Sequence, residues 1–260
     1  MKQDTRKELR IICPVHNEAA WSLRELVREW TPVLDEHLKD WEWVFIDDGS
    51  TAPRTLAALE QITLGDPRFQ CRRLIVNRGH GQACVYGYRE FHNTTRWLLQ
   101  IDSDGQCRPK DFRTIWGQRV SGLHHFGVRR GRRDGGSRKI ISLGVRLYLW
   151  LMSGTYHPDP NCPFRLLWCR KLGPHLSGLS HKLANLALAL RLKPDSRFSP
   201  VGFLLRRCGQ SSHNPARTIK ALLEFLPILG LGVASASSLS RPKDHRTSLR
   251  TRSRAFLARM

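Results

Sequence analysis

Acidic side chains are scarce in this sequence. Across 260 residues, 22 Asp and Glu stand against 43 Lys and Arg, and the formal net charge is +21 at pH 7. Such an excess of positive charge favours partners that carry phosphate groups, such as nucleotides, nucleic acids or anionic membranes. Because carboxylates are few, places where several of them cluster are especially informative.

Zinc-binding and disulfide patterns are also missing. The seven cysteines form no C-x-x-C pair, and their odd number argues against a complete disulfide framework. The charged residues 1–10 lack the apolar core of a secretory signal. We therefore expect the reduced thiols of a cytosolic protein.

No apolar run reaches the roughly 20 residues that a membrane-spanning helix needs. The longest uncharged run, 225–240, is interrupted by Pro227 and by two glycines, and the apolar segment 139–154 carries Arg146 in its middle. We expect helices in 139–154 and 215–233 to lie against a membrane surface without crossing it.

The first half of the chain alternates β-rich runs with helical stretches. Strands are predicted at 9–13, 43–46, 71–76 and 97–101, and helices at 19–37, 54–64 and 81–91. This alternation is typical of an α/β fold with a single, mostly parallel sheet flanked by helices. Further along we predict a mobile loop at 127–138, a turn and short strand at 159–167, a helix at 176–192 and a strand at 198–206.

Two pairs of carboxylates follow predicted strands. Asp47 and Asp48 come directly after 43–46, and Asp102 and Asp104 follow the apolar run that ends at Ile101. Ligands of open α/β sheets bind at the carboxyl ends of the strands, so both pairs are expected in one site. Carboxylate oxygens suit Mg²⁺ or Mn²⁺ together with a substrate's phosphates, although acidic residues at such positions also cap turns.

Four ordered motifs carry a family resemblance: C-P-V-H-N-E, F-I-D-D-G-S-T, N-R-G-H-G-Q-A and D-S-D-G-Q. With them the sequence resembles family 2 glycosyltransferases of the GT-A (nucleotide-diphospho-sugar transferase) fold. The similarity runs from about residue 11 to residue 212. It is strongest to the branch of dolichol-phosphate mannosyltransferase and bacterial polyprenyl-phosphate glycosyltransferases, because G-V-R-R-G-R-R-D-G-G-S-R-K-I-I-S and D-P-N-C-P-F-R-L-L resemble later segments of that branch.

The resemblance implies an inverting, metal-dependent transfer of a sugar from a UDP- or GDP-sugar to a polyprenyl phosphate. Asp102, Asp104 and Gln106 would hold Mg²⁺ or Mn²⁺, and Asp102, Asp104 and Arg129 would be catalytic. The lipid phosphate would be bound by Arg129, Arg138 and Ser142. The nucleotide-sugar would be contacted by Pro14, His16, Glu18, Asp47, Asp48, Gly79, Asp102, Ser103 and Arg206.

The expected organisation is a GT-A domain at 1–212, an amphipathic, membrane-associated segment at 213–238 and a basic disordered tail at 239–260. The protein would be peripheral at the cytoplasmic face of a membrane. One alternative keeps the fold but transfers to a soluble sugar or a polysaccharide. Another, a nucleic-acid-binding protein, is favoured by charge alone, but no aromatic stacking set accompanies the basic residues, so we expect no nucleic-acid partner.

Overall fold

The computed structural model describes residues 5–130, 150, 154, 156–179 and 183–204. Its first half alternates strands and helices as the sequence predicts. The elements are β1 (Lys7–Val15), α1 (Ala20–His37), β2 (Trp41–Asp47), α2 (Pro53–Gly65), β3 (Phe69–Arg73), α3 (His80–Phe91) and β4 (Thr95–Gln100). The later elements are α4 (Pro109–Gly117), β5 (His124–Arg130), β6 (Arg165–Trp168), α5 (Ala184–Leu192) and β7 (Ser196–Gly202), with 3₁₀ turns at Cys169–Lys171, Gly173–Leu176 and Lys193–Asp195.

The seven strands in the described part of the chain form one sheet in the order β3-β2-β1-β4-β6-β5-β7. The pairs β1–β2, β1–β4, β2–β3 and β5–β7 are parallel, whereas β6 runs antiparallel to both β4 and β5. The mostly parallel α/β sheet is thus confirmed, and β6 makes it mixed. Because the first four strands share one direction, their carboxyl ends lie along the same edge.

Helices cover both faces of the sheet, and each face has its own apolar core. On one face α1, α2 and α4 pack over a core in which the Trp30 ring contacts the rings of Trp43, Phe112 and Phe164. On the other face the core is built from residues of α3 and α5. Burial of this apolar area holds the strands, and with them the loops at their carboxyl ends, in place.

The predicted loop at 127–138 is wrong for its first residues, because 127–130 belong to β5. A Cβ built on Gly127 would lie 2.8 Å from a methyl group of Val201. Gly127 therefore serves the close approach of β7, and it does not mark a flexible segment. The remaining residues of that predicted loop lie outside the described residues.

Other predicted boundaries also shift. The third strand ends at Arg73, whereas the sequence suggested residue 76, and helix α5 begins at Ala184, eight residues later than expected. Gly178 has a φ of +67°, a left-handed conformation that interrupts a right-handed helix. Helix α4 was not predicted, although Pro109 stands at its start, where proline is favoured.

The helices predicted at 139–154 and 215–233 lie outside the described residues, apart from Trp150 and Gly154. In the part of the chain that is described, no helix combines the length and the apolar character needed to cross a bilayer.

Candidate functional site

The loops that carry the predicted site residues meet at the carboxyl edge of the sheet. Val15 at the end of β1 pairs with Asp47 at the end of β2, and the backbone N–H of Asp48 donates to the Val15 carbonyl at 2.8 Å. On the other side of β1, the Ile101 N–H donates to the Ile12 carbonyl at 3.3 Å. The two acidic pairs therefore flank the end of β1 from opposite sides.

The loop after β1 is held by side chains of its own. His16 is exposed, and its Nδ1 donates to the Asp48 carbonyl oxygen at 2.9 Å. Asn17 has a φ of +52°, and its Oδ1 accepts the backbone N–H groups of Thr51 and Ala52, each at 2.9 Å. Asn tolerates this conformation better than most residues, so Asn17 shapes the loop while tying it to the start of α2.

Asp47 and Asp48 are buried, and their carboxylates bind backbone groups. Asp47 Oδ1 accepts the N–H of Ser50 at 2.9 Å. Asp48 accepts the N–H groups of Arg78 at 2.7 Å and Gly79 at 2.8 Å, one on each carboxylate oxygen. Asp48 thus anchors the N-R-G-H-G loop, and Gly79 follows with a φ of +90° at the start of α3.

Asp102 lies beside a histidine that the sequence analysis did not select. His80 Nε2 donates to Asp102 Oδ1 at 2.8 Å, and the Gln100 amide lies 3.4 Å from the same oxygen. Burial alone would raise the pKa of Asp102, but His80 and the Arg165 guanidinium outweigh it and lower that pKa. Desolvation opposes protonation of His80, yet its neighbours Cys84 and Asp102 bring its pKa well above 6.5. Asp102 is therefore ionised at neutral pH.

Asp104 and Gln106 complete the loop after β4. Asp104 Oδ1 accepts the backbone N–H of Gln106 at 3.1 Å, and Ser103 between the two aspartates is buried. The Gln106 side-chain nitrogen donates to the Leu204 carbonyl at 2.9 Å, which turns the amide oxygen of the same group away from Leu204. This contact also brings the end of the described chain to the site, two residues before Arg206, which itself lies outside the described residues.

These residues suit a hard divalent cation that is shared with a substrate. No group of three or more His, Cys, Asp and Glu side chains that could hold a metal ion occurs within the ranges the structure describes. Mg²⁺, however, is commonly held by one or two carboxylates together with substrate phosphates. Asp102 and Asp104 follow the end of the same strand with one residue between them, so their two carboxylates match that pattern.

Arg129, predicted to bind an acceptor phosphate, makes a two-pronged ion pair with Asp159. Its Nε and Nη2 lie 2.8 and 2.7 Å from the two carboxylate oxygens, and its backbone N–H also donates to Asp159 at 3.1 Å. Arg165 holds this turn from within by donating to the carbonyl oxygens of Pro160 at 2.7 Å and Cys162 at 2.9 Å. Arg129 is therefore pre-oriented, with its guanidinium 5.2 Å from the Phe203 ring centre.

The structure thus brings together most predicted site residues that it describes. Those at the first three strand ends and after β4 share one edge: Pro14, His16, Glu18, Asp47, Asp48, Gly79, Asp102, Ser103, Asp104 and Gln106. Arg138, Ser142 and Arg206 lie outside the described residues. Asn17, His80 and Asp159 also shape the site and were not predicted from the sequence. All three stand inside motifs quoted for the family resemblance, so membership of a motif was the available signal.

Comparison with known proteins places this architecture in a class. Residues 10–147 match the family described as Glycosyl transferase family 2, and the chain belongs to that family. This confirms the resemblance drawn from the four sequence motifs.

Among curated relatives, two are named undecaprenyl-phosphate 4-deoxy-4-formamido-L-arabinose transferase. The one from Pseudomonas fluorescens is 25% identical over 228 residues, which cover 83% of this chain and 63% of the relative. The one from Salmonella choleraesuis is 24% identical over 233 residues, covering 86% of this chain and 68% of the relative. The chain therefore spans less than two thirds of the length of the first of them.

Solved structures that are similar to this chain provide a separate check on the predicted fold. Glucosyl-3-phosphoglycerate synthase from Mycobacterium tuberculosis, solved with Mn²⁺, UDP-glucose and phosphoglyceric acid, has a TM-score of 0.63 at 17% identity and covers 88% of this chain and 80% of its own. Mannosyl-3-phosphoglycerate synthase from Rubrobacter xylanophilus has a TM-score of 0.59 at 13% identity, with coverages of 93% and 79%. These likenesses, with the family match, confirm the predicted GT-A fold.

Proposed function

We propose that this protein is an inverting glycosyltransferase that moves a sugar from a UDP- or GDP-sugar to a polyprenyl phosphate, with the help of Mg²⁺ or Mn²⁺. The observation that carries the proposal is the juxtaposition, in a family 2 chain, of Asp102 and Asp104 with the loops after β1 and β2 at one sheet edge. The names of the curated relatives support an undecaprenyl-phosphate type of acceptor.

On the donor side, Asp102, Asp104 and Gln106 would hold the metal ion. When bound, such an ion supplies positive charge that stabilises a departing nucleoside diphosphate. The base and ribose would be framed by the loop residues Pro14, His16, Glu18 and Asp47, while Asp48 keeps the Gly79 loop in place. Ser103 and Arg206 would complete the donor contacts.

On the acceptor side, Arg129, Arg138 and Ser142 would bind the phosphate of the lipid. Asp159 fixes both Nε and Nη2 of Arg129 before any ligand arrives, so the guanidinium has little conformational freedom left to lose on binding. A phosphate monoester has its second pKa at about 6 and is largely ionised at neutral pH. It can therefore attack the anomeric carbon without a dedicated general base, and catalysis rests on positioning and electrostatics.

A polyprenyl chain stays in the bilayer, so the enzyme must meet its acceptor at a membrane surface. We place the protein peripherally at the cytoplasmic face, with the amphipathic segment 213–238 and the helix expected at 139–154 as contacts. The basic tail at 239–260 would add attraction to anionic lipids, about 1 kcal/mol for each cationic residue near the surface.

A second candidate keeps the donor chemistry but uses a soluble acceptor. It is favoured by the solved neighbours, one of which holds phosphoglyceric acid, a soluble phosphate-bearing molecule. Arg129 suits either acceptor, because a guanidinium binds the phosphate of a lipid and of a soluble molecule in the same way.

The test is a panel of nucleotide-sugars with Mn²⁺ or Mg²⁺, with and without a polyprenyl phosphate in detergent, read by mass spectrometry. The proposal expects a glycolipid with one donor and its loss in Asp104→Ala. Asp40→Ala removes a half-exposed carboxylate at the opposite edge of the sheet and serves as the matched control. If nucleotide is released with a soluble acceptor but no donor gives glycolipid, the second candidate replaces the first.

A further inference from the structure

The segment between β3 and α3 carries the most exposed large apolar side chain among the described residues. Ile75 is 94% exposed, and its neighbour Val76 is 57% exposed. A single exposed aliphatic residue is ordinary on a protein surface, but adjacent ones beside a functional site mark an interaction surface more often. The two lie on the sheet edge that carries the candidate site, immediately before the loop anchored by Asp48.

Ile75 and Val76 project from a support that is held on both sides. Leu74, just before them, is buried, and its N–H donates to the Asp47 carbonyl at 2.8 Å. Just after them, the N–H groups of Arg78 and Gly79 are held by Asp48. The turn is therefore fixed by hydrogen bonds on both sides, and it holds Ile75 and Val76 in exposed positions.

Arginines flank this apolar pair. Arg73 ends β3 with an exposed side chain, and Arg78 follows on the other side of the pair and is exposed. Arg73 reaches the Ser50 carbonyl at 3.1 Å and lies 3.5 Å from the Asp47 carboxylate, so it is held next to the turn. Arg72 instead binds Glu90 near the far end of α3 and does not face the turn. Aliphatic side chains flanked by cationic groups match the apolar interior and the anionic headgroups of a bilayer.

We infer that Ile75 and Val76, with the flanking Arg73 and Arg78, are a membrane-docking surface that inserts shallowly into an anionic lipid bilayer. The inference rests on the proposed function, which requires the carboxyl edge of the sheet to face a membrane. Three strand spacings separate β3 from β4, so the turn lies roughly 14 Å to the side of the Asp102 strand end. Docking here would hold the site level with lipid headgroups.

The matched control is Leu64, which is 80% exposed at the end of α2, on the opposite edge of the sheet. The double variant Ile75→Ser, Val76→Ser and the control Leu64→Ser remove aliphatic groups that contribute little to the core, so both should fold. Each is tested by sedimentation with vesicles of phosphatidylcholine containing phosphatidylglycerol and no polyprenyl phosphate. We expect the double variant to bind vesicles at least about tenfold more weakly than the wild type, because burial of one aliphatic side chain alone contributes a factor of that size. Leu64→Ser should bind vesicles as the wild type does.

A fluorescent dye at the turn tests this surface separately if other segments of the chain also bind lipid. An environment-sensitive dye on Ile75→Cys should shift to the blue on addition of vesicles, whereas the same dye on Leu64→Cys should not, each corrected for the labelled wild type. Binding of UDP and GDP, measured by calorimetry, should be unchanged in the double variant. Loss of nucleotide affinity with retained vesicle binding would assign the turn to the nucleobase and overturn the inference.

The inference is also overturned if the double variant binds vesicles as well as the wild type does and the dye does not shift. It is overturned as well if the wild type does not bind vesicles. These outcomes are separable from failure of the proposed function, because the vesicles carry no acceptor and the assay needs no catalysis. A chain that makes glycolipid while the double variant docks normally and the dye on Ile75→Cys does not shift refutes the surface alone. A chain that makes none while the double variant loses docking refutes the reaction and leaves the surface standing.

Discussion

Asp48→Asn tests whether one buried carboxylate builds the loop that borders the site. Asp48 is 3% exposed, and each of its oxygens accepts one backbone N–H, from Arg78 and from Gly79. Asparagine keeps one acceptor but turns an NH₂ group towards the other N–H. A hydrogen bond to a charged group contributes about 1.5–3 kcal/mol, and here one such bond is lost while the other loses its charge. We expect the free energy of unfolding to fall by about 3 kcal/mol, or roughly 150-fold in the unfolding constant.

The assay is urea unfolding followed by tryptophan fluorescence, with thermal unfolding in parallel. For a domain of this size, about 3 kcal/mol corresponds to a fall in Tm of roughly 6–12 °C. Asp35→Asn is the matched control, because its carboxylate is 47% exposed and pairs with Arg68 at the surface, where the expected loss is within about 1 kcal/mol. Hydrogen exchange at Arg78 and Gly79 should accelerate in Asp48→Asn. If both variants lose the same stability and this exchange is unchanged, the anchoring role of Asp48 is refuted.

Three further changes give separate tests. Gly49→Ala places a Cβ 2.7 Å from a backbone nitrogen at a φ of +68°, so its Tm should fall by the equivalent of about 2 kcal/mol or more, while Gly65→Ala, with open space around it, should change little. Asp159→Asn leaves the half-buried charge of Arg129 without its charged partner. Urea unfolding should show that the free energy of unfolding falls by about 3 kcal/mol, and titration with the acceptor should show a higher KM. Burial lowers the pKa of His124 from 6.5 to about 4, so the unfolded chain takes up the proton first as the pH falls. The stability that this neutral histidine contributes is complete above pH 6.5 and is lost as the pH falls towards about 4. The free energy of unfolding of His124→Asn, measured with urea at several pH values, should therefore fall less steeply across that window than that of the wild type.

The parts of the fold that local pattern specifies were predictable. Strands β1, β2 and β4 each contain an uninterrupted apolar run, at 11–15, 43–46 and 97–99, as parallel strands buried on both faces do, and the carboxylates that follow β2 and β4 locate the site edge. Asp102 and Asp104 could be selected because acidic residues are rare in this chain and stand where a buried strand ends.

The parts that depend on distant residues were not predictable. Arg129 and Asp159 are thirty residues apart along the chain, and nothing near either of them indicates the pairing. His80 meets Asp102 only because α3 starts beside the end of β4. Gly127 resembles a loop glycine in its local sequence, and only the approach of Val201 from β7 shows why a strand needs it there.

The position of β5 within the sheet has a consequence for how the protein is made. Both neighbours of β5 come from later in the chain, β6 at Arg165–Trp168 and β7 at Ser196–Gly202. During synthesis, β1 to β4 can pair as they emerge, whereas β5 waits with two open edges for at least 35 more residues. Unpaired strand edges invite association with other chains. A fragment that stops at residue 147, where the family match ends, would keep β5 permanently unpaired and should aggregate, so expression has to include the chain through β7.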